Sequence, residues 1–375
     1  MTRRVAVVGA GILGAALADR LAAAGAHVTV LEQHQPGTGA SRSSLAWYNA
    51  NSKTPHAYHR LNVAGMHAWA ALAPRLGGAA WHRPTGNLEW AEDSDGRAQL
   101  YSRVQRLRAW GYAARLVGRN ELLGLEPSLH LPGGVWEGAW FPDEGYLLTD
   151  RLIAHLLGRA AAAGAVIRTG RAGAVTAIDP RPGTTTYTLR TADGEHLPAD
   201  ALALCAGLGT PHLAALLGAQ IPLLAPDTPS SPVPGLVVHI GPPIRPPARV
   251  LHGPHITLRP HAPNTVHLEA PDLPVAPDTP PEELDALAEK LLDRARTLIP
   301  DLIHATVQSR TVCNRPFPSD SYPIIGELPN TPNTYVLTTH SGVTLAAHLA
   351  ALATQELLTD TRHAELAPYR PERFA

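Results

Sequence analysis

The chain has 375 residues, of which 45% are hydrophobic and 17% charged, a charged share below the usual roughly 25%. Its length suits two domains, and its apolar content excludes a highly charged disordered chain, because enough surface can be buried to offset chain entropy. A net charge of −1 with no basic stripe excludes nucleic acid and anionic membranes as electrostatically attracted partners.

Residues 5–8 form a short valine-rich run that suits a buried parallel strand. Arg3 and Arg4 precede it, but Asp19 and Arg20 interrupt the apolar stretch and no small-residue cleavage site follows, so it does not read as a signal peptide. Residues 13–24 are rich in Ala and Leu, a helix closed by Gly25, and residues 27–31 are a second strand ending at Glu32. Residues 81–144 have a different character, with Trp81, Trp90, Trp110, Trp136 and Trp140 and an amphipathic helix near residues 98–110. A helix over 152–163 leads to a strand over 166–169. Strands over 173–178 and 187–191 make a meander closed by the turn Asp193-Gly194. An apolar strand at 201–205 ends at Ala206-Gly207. Residues 222–281 are proline-rich with short strands, and a charged helix covers 282–298. A β-branched strand over 334–339 then runs through His340-Ser341-Gly342 into a helix over 343–358.

The shifts in composition divide the chain into a discontinuous dinucleotide-binding domain (1–80, 145–221 and 305–375) and a second domain (81–144 and 222–304). No apolar run approaches the roughly 18 residues of a membrane span, and the protein is expected to be cytoplasmic. Cys205 and Cys313 form no CxxC, and His56/His59 and His252/His255 sit in no HExxH frame, so no metal is expected.

Between the first strand and helix lies Gly9-Ala10-Gly11-Ile12-Leu13-Gly14. A lone GxGxxG is weak, but one that follows a strand, opens a helix and precedes an acidic residue at the next strand end is a dinucleotide site. Gly9 permits the tight turn, Gly11 lets the backbone approach a pyrophosphate, and Gly14 lets helix and sheet pack closely. The helix N-terminus offers unpaired N–H groups to the phosphates, and Glu32 accepts hydrogen bonds from a ribose. This does not separate FAD from NAD. The small-residue segment Gly37-Thr38-Gly39-Ala40-Ser41-Arg42-Ser43-Ser44 suits a flavin, whose ribityl chain and ring extend along the sheet edge. The strand–turn–helix at Thr339-His340-Ser341-Gly342-Val343-Thr344 would present N–H groups to the negative charge of a reduced flavin. Taken alone, an ordinary helix capped by Ser341 is the better explanation of that segment.

The order Gly9…Gly14, Glu32, Gly39-Ala40-Ser41, Gly145-Tyr146, Cys205-Ala206-Gly207, Arg315-Pro316…Asp320…Pro323-Ile324-Ile325-Gly326 and His340-Ser341-Gly342 resembles the D-amino-acid oxidase superfamily, in its glycine oxidase, sarcosine oxidase and D-amino-acid dehydrogenase branch. The resemblance covers nearly the whole chain and is poor over 222–281, where the Arg-Gly or Lys-Gly of many relatives is replaced by Asp227-Thr228-Pro229-Ser230-Ser231-Pro232. It implies an α/β fold, a Rossmann-like FAD-binding domain with an inserted antiparallel-sheet substrate domain. It also implies oxidation of a C–N bond by hydride transfer to flavin N5, giving an imine that water hydrolyses, with oxygen or another acceptor reoxidising the flavin. The cofactor-binding residues it implies are Gly9, Gly11, Ile12, Leu13, Gly14, Glu32, Gln33, Ser41, Arg42, Ser43, Ala174, Val175, Ala206, Gly207, Arg315, Ser341, Gly342, Val343 and Thr344. Arg315 stands where glycine oxidase holds the substrate carboxylate, a role that a forked guanidinium suits, against the alternative of an ion pair with Asp320. His252 and His340 join it as catalytic candidates, and Trp47, Tyr48 and Arg259 are substrate candidates, all chosen by position. Cys313 matches the cysteine that attaches to the flavin in sarcosine oxidases, although its surroundings follow glycine oxidase, where no attachment occurs. The rival functions are a flavin dehydrogenase of a 2-hydroxy acid, a nicotinamide-dependent dehydrogenase sharing only the first βαβ unit, and a non-catalytic dinucleotide-binding protein.

Overall fold

The computed structural model describes residues 3–261, 264–359 and 361–374. Its first layer is a six-stranded sheet in the order Ile324–Glu327, Thr334–Thr338, Ala201–Leu204, Arg4–Val8, His27–Glu32, Val166–Thr169. All are parallel except the edge strand Ile324–Glu327, which pairs antiparallel with its neighbour. The central strands are buried on both faces, which is why they read as continuous apolar runs rather than alternating ones. The helices Ile12–Ala23, Thr149–Ala162 and Gly342–Leu358 pack on one face, and the meander Val175–Pro180, Tyr187–Thr191, His196–Ala199 lies on the other.

A fourth helix, His56–Leu72, is absent from the sequence expectations, because its histidines and Asn62 blur the apolar stripe. Tyr58, Leu61, Met66 and Trp69 keep the helical spacing and are buried. At Gly65 this helix crosses Gly342–Leu358 so closely that a β-carbon would lie 2.4 Å from the Thr344 carbonyl oxygen.

The second layer is an eight-stranded, mainly antiparallel sheet: Thr306–Asn314, Pro234–Gly241, Thr265–Glu269, Ile256–His261, Val250–Gly253, Asn87–Glu89, Glu137–Phe141, Arg115–Gly118. Its apolar face, including Leu236, Val238, Leu258 and Leu268, packs under the amphipathic helix Pro281–Leu298. The strand Thr306–Asn314 pairs with Pro234–Gly241 throughout, so the boundary expected at 305 is corrected: this strand belongs with the inserted sheet. Among the described residues no helix is long and apolar enough to cross a membrane.

Candidate active site

Between the two sheets, at the carboxyl ends of the parallel strands, lies a cleft of about 2010 Å³. Small-ligand pockets usually measure about 300–1,000 Å³, so this one has room for an extended cofactor and a substrate together. Gly9 takes φ +105°, and a β-carbon there would sit 2.5 Å from the Cys205 carbonyl oxygen. At Gly14 a β-carbon would lie 1.9 Å from the Gly9 carbonyl oxygen, so both glycines are required by space. The Ile12–Ala23 helix begins at Gly11, which offers no side-chain cap, and has no acidic residue in its first turn, so its positive end carries no negative charge of its own toward an anion. Glu32 accepts from the Ala10 N–H at 2.8 Å and the His34 N–H at 2.9 Å, and Ser41 Oγ accepts from the Ile12 N–H at 3.0 Å.

The carboxy-terminal corner meets this cradle directly. A β-carbon on Gly342 would lie 3.7 Å from Leu13 and 3.8 Å from Ile12. Ser341 does not cap its helix: its hydroxyl pairs with the Tyr58 hydroxyl at 2.7 Å. The helix therefore starts uncapped at the cleft, which favours the anion-facing alternative for this segment over the ordinary capped helix.

Of the sequence-derived cofactor residues, Gly9, Gly11, Ile12, Leu13, Glu32, Gln33, Ser41, Val175, Ala206, Gly207, Arg315, Ser341, Gly342, Val343 and Thr344 line the cleft. Gly14 instead packs behind Gly9. Arg42, Ser43 and Ala174 are not on the wall, where Ser44 and Gly173 stand in their place. Among the substrate candidates, Trp47 lines the cleft, but Tyr48, the next residue on the strand Trp47–Tyr48, points the other way and stacks on His82. Arg259 is also off the wall. It is buried, donating to the Leu45 and Pro260 carbonyls, with its guanidinium carbon 4.8 Å from the Tyr146 ring centroid.

Arg315 is on the wall, 5.5 Å over the Phe317 ring. Its Nη2 donates to the Pro232 carbonyl at 2.7 Å and its Nε to Val233 at 3.3 Å. The ion pair with Asp320 does not form, because Asp320 takes Arg373 at 2.7 and 3.1 Å. His340 stacks on Phe317 with centroids 4.0 Å apart. Its ring is exposed to the open cleft, yet the surrounding walls lower its pKa, with Lys53 and Arg315 adding to the effect. His252 packs at a 46° tilt against Trp47, with ring centroids 4.2 Å apart, and shares a 2.7 Å hydrogen bond between Nδ1 and Asn87 Oδ1. Cys313 is buried behind the wall, its sulfur 3.9 Å from the Ala40 carbonyl oxygen, and burial pushes its thiol up to about 12.

Sequence reasoning passed over Lys53 and Glu269, which also line the cleft. Burial pushes Lys53 down to about 8 against the pull of Glu144. Burial likewise raises Glu269 to about 7, opposed by Arg315 and Arg259. Lys53 carried a signal as one of only two lysines, and Glu269 lies in step with His267 on one strand face.

A parallel sheet with a glycine cradle at its carboxyl edge, roofed by an antiparallel sheet across a cleft of this size, defines a two-domain dinucleotide-dependent oxidoreductase. A family model described as DAO, FAD dependent oxidoreductase, matches residues 4–356, and the chain belongs to that family. FAD is accordingly the cofactor, which removes the nicotinamide alternative. The chain is 26% identical to a glycine oxidase of Geobacillus kaustophilus over 386 aligned positions, covering 98% of this chain and 97% of that protein. The crystal structure of glycine oxidase from that organism superposes with a TM-score of 0.82 over 98% of each chain at 23% identity. A stretch of 157 residues, 39% of this chain, is 34% identical to the tRNA 5-methylaminomethyl-2-thiouridine biosynthesis bifunctional protein MnmC of Ralstonia nicotianae, and spans only 22% of that protein's length.

Proposed function

We propose that this enzyme oxidises the C–N bond of an amino acid or N-substituted glycine. Bound FAD supplies the hydride acceptor, and the imine formed from the substrate is hydrolysed by water. The observation that carries this reading is Arg315, a cleft cation that has no carboxylate partner among the described residues and is held by backbone carbonyls. Its Nε and Nη2 are taken up by the Val233, Pro232 and Pro234 carbonyls, whereas Nη1 has no protein acceptor among the described residues, which leaves that nitrogen to donate to a substrate carboxylate.

Glu269 on the same wall favours an amine over a hydroxy acid, because once ionised, above about pH 7, it can pair with an ammonium, whereas to a hydroxyl it offers only a hydrogen bond. Phe317 lies under the Arg315 guanidinium and stacks on His340, which helps hold the cation in place on the wall. The tRNA-directed activity in the name of the Ralstonia protein is not carried over, since the match spans a small part of that protein and this chain's net charge of −1 gives polyanions no support.

The test is anaerobic reduction of the protein-bound flavin by a panel of small amino acids, N-alkyl glycines, uncharged amines and 2-hydroxy acids. Bleaching by carboxylate-bearing amines is expected. Bleaching by hydroxy acids in preference to amines would overturn the reading.

A further inference from the structure

Glu144 is fully buried, has no surface on the cleft, and gathers four donors. Its Oε2 accepts from the Trp47 indole at 2.9 Å and from the Asn51 and Asn87 amides at 3.1 Å each, while Oε1 takes the Tyr112 hydroxyl at 2.6 Å. We propose that Glu144, acting through Asn87, holds His252 as its Nδ1–H tautomer, so that the Nε2 lone pair faces the cleft and accepts a hydrogen bond from the substrate nitrogen.

An indole N–H can only donate, so Oε2 is an acceptor whether or not the carboxyl carries a proton, which would have to sit on Oε1. Asn87, itself fully buried, must then turn its NH₂ group toward Glu144, because its carbonyl oxygen there would meet another acceptor. That leaves Asn87 Oδ1 facing His252 Nδ1 at 2.7 Å. An amide oxygen only accepts, so Nδ1 carries the hydrogen, and a neutral imidazole has only one. Burial keeps the ring neutral, its pKa pushed down to about 3 with Arg103 adding to the effect. Nε2 has no protein partner among the described residues and is not sealed from solvent.

The same carboxyl pins the Trp47 indole against which the tilted His252 ring packs, so one buried acid fixes the orientation of two cleft side chains. With so low a pKa, Nε2 acts as a hydrogen-bond acceptor and not as the final proton sink. An acceptor here and the Arg315 cation on the same cleft give an amino acid one favoured orientation. Glu144 and Asn87 are positioning residues, and His252 is the group that touches substrate. The tautomer stands on the network alone, whereas the partner assigned to its lone pair rests on the amine-oxidation reading.

Imidazole ¹⁵N–¹H correlation spectra of FAD-loaded, ¹⁵N-histidine-labelled protein test the tautomer, with His252→Gln identifying the resonance. A protonated Nδ1 and a bare Nε2 are expected, and an Nε2–H pattern overturns the proposal whatever the activity. Asn87→Leu should release the tautomer lock and raise KM for amine substrates about tenfold with a smaller change in kcat, the effect of one lost hydrogen bond. An unchanged tautomer in folded Asn87→Leu, judged by its melting profile, would also overturn it. If His252 is Nδ1–H but no amine reduces the flavin, the amine reading and the assigned role of the lone pair both fall. If amines reduce the flavin and His252 is Nε2–H, only the present proposal falls.

Discussion

On the side of the parallel sheet, the cleft is shaped by what is missing from its residues. Gly9 and Gly14 leave no room for a β-carbon, and Gly173 sits so close that one would lie 2.4 Å from the Glu32 carbonyl oxygen. Across from them, the antiparallel sheet and the loops beside it present large polar side chains: Arg315, Glu269 and His252. The first wall offers backbone N–H groups and helix ends, which any dinucleotide phosphate can use. The second offers individually placed charges and lone pairs, which only a particular substrate can use. Cofactor binding should therefore fail through loss of space, and substrate recognition through loss of one functional group.

The sharpest way to break this contrast is Gly14→Ala. Its methyl group would lie 1.9 Å from the Gly9 carbonyl oxygen, in backbone that cannot yield as a side chain can. We expect destabilisation of about 3 kcal/mol or more, together with loss of bound flavin, read from the visible spectrum after gel filtration and from the melting temperature. A variant that keeps full flavin occupancy would show that the cradle is less tightly packed than its geometry implies.

Arg315→Lys tests the opposite wall. Lysine keeps the charge but not the fork or the carbonyl anchors at Pro232 and Val233, so kcat/KM for carboxylate substrates should fall about 10- to 100-fold with flavin retained. Equal loss with uncharged amines would remove the assigned role.

These two walls also differ in how far the sequence alone reveals them. The glycine spacing, the strand before it and Glu32 after it are local, so the cradle and the five parallel strands around it were readable from short segments, whereas the antiparallel edge strand Ile324–Glu327 was not. The substrate wall is assembled from residues far apart in the chain. Asn87 meets His252 across a parallel pairing of Asn87–Glu89 with Val250–Gly253, and no local pattern announces that pairing. Strand alternation decides Trp47 against Tyr48, but a two-residue strand is too short to show which face is which. Arg259, a candidate chosen by position, is taken up by the Leu45 carbonyl, which lies over two hundred positions earlier in the chain and could not be placed beside it from the sequence.

A subtler difference appears in the response to pH. Burial outweighs the four donors of Glu144 and pushes its pKa from 4.5 to about 8. The folded state therefore binds this proton more tightly than the unfolded state does. The stability that comes with it is complete below about 4.5 and is lost as pH rises toward about 8. Glu144→Gln cannot titrate, so the wild type should lose melting temperature relative to the variant between about pH 5 and about pH 8. Parallel melting curves for the two proteins over that interval would mean that the carboxylate is ionised throughout.

The smallest expected effect falls where the two walls meet. Cys313 is the penultimate residue of the strand Thr306–Asn314 and reaches toward Ala40 in the loop beside the cradle, so by chain position it is the natural point for a covalent tether. The attacking species would have to be a thiolate, and a buried thiol pushed up to about 12 supplies almost none near neutrality. It also stands behind the cleft wall, with its sulfur turned to the Ala40 carbonyl oxygen. Acid-denatured wild-type protein should accordingly release all its yellow colour to the supernatant, and Cys313→Ser should hold the same amount of flavin beforehand. Colour that stays with the wild-type pellet and vanishes in the serine variant would require the sulfur to turn into the cleft and ionise there, against both its packing and its burial.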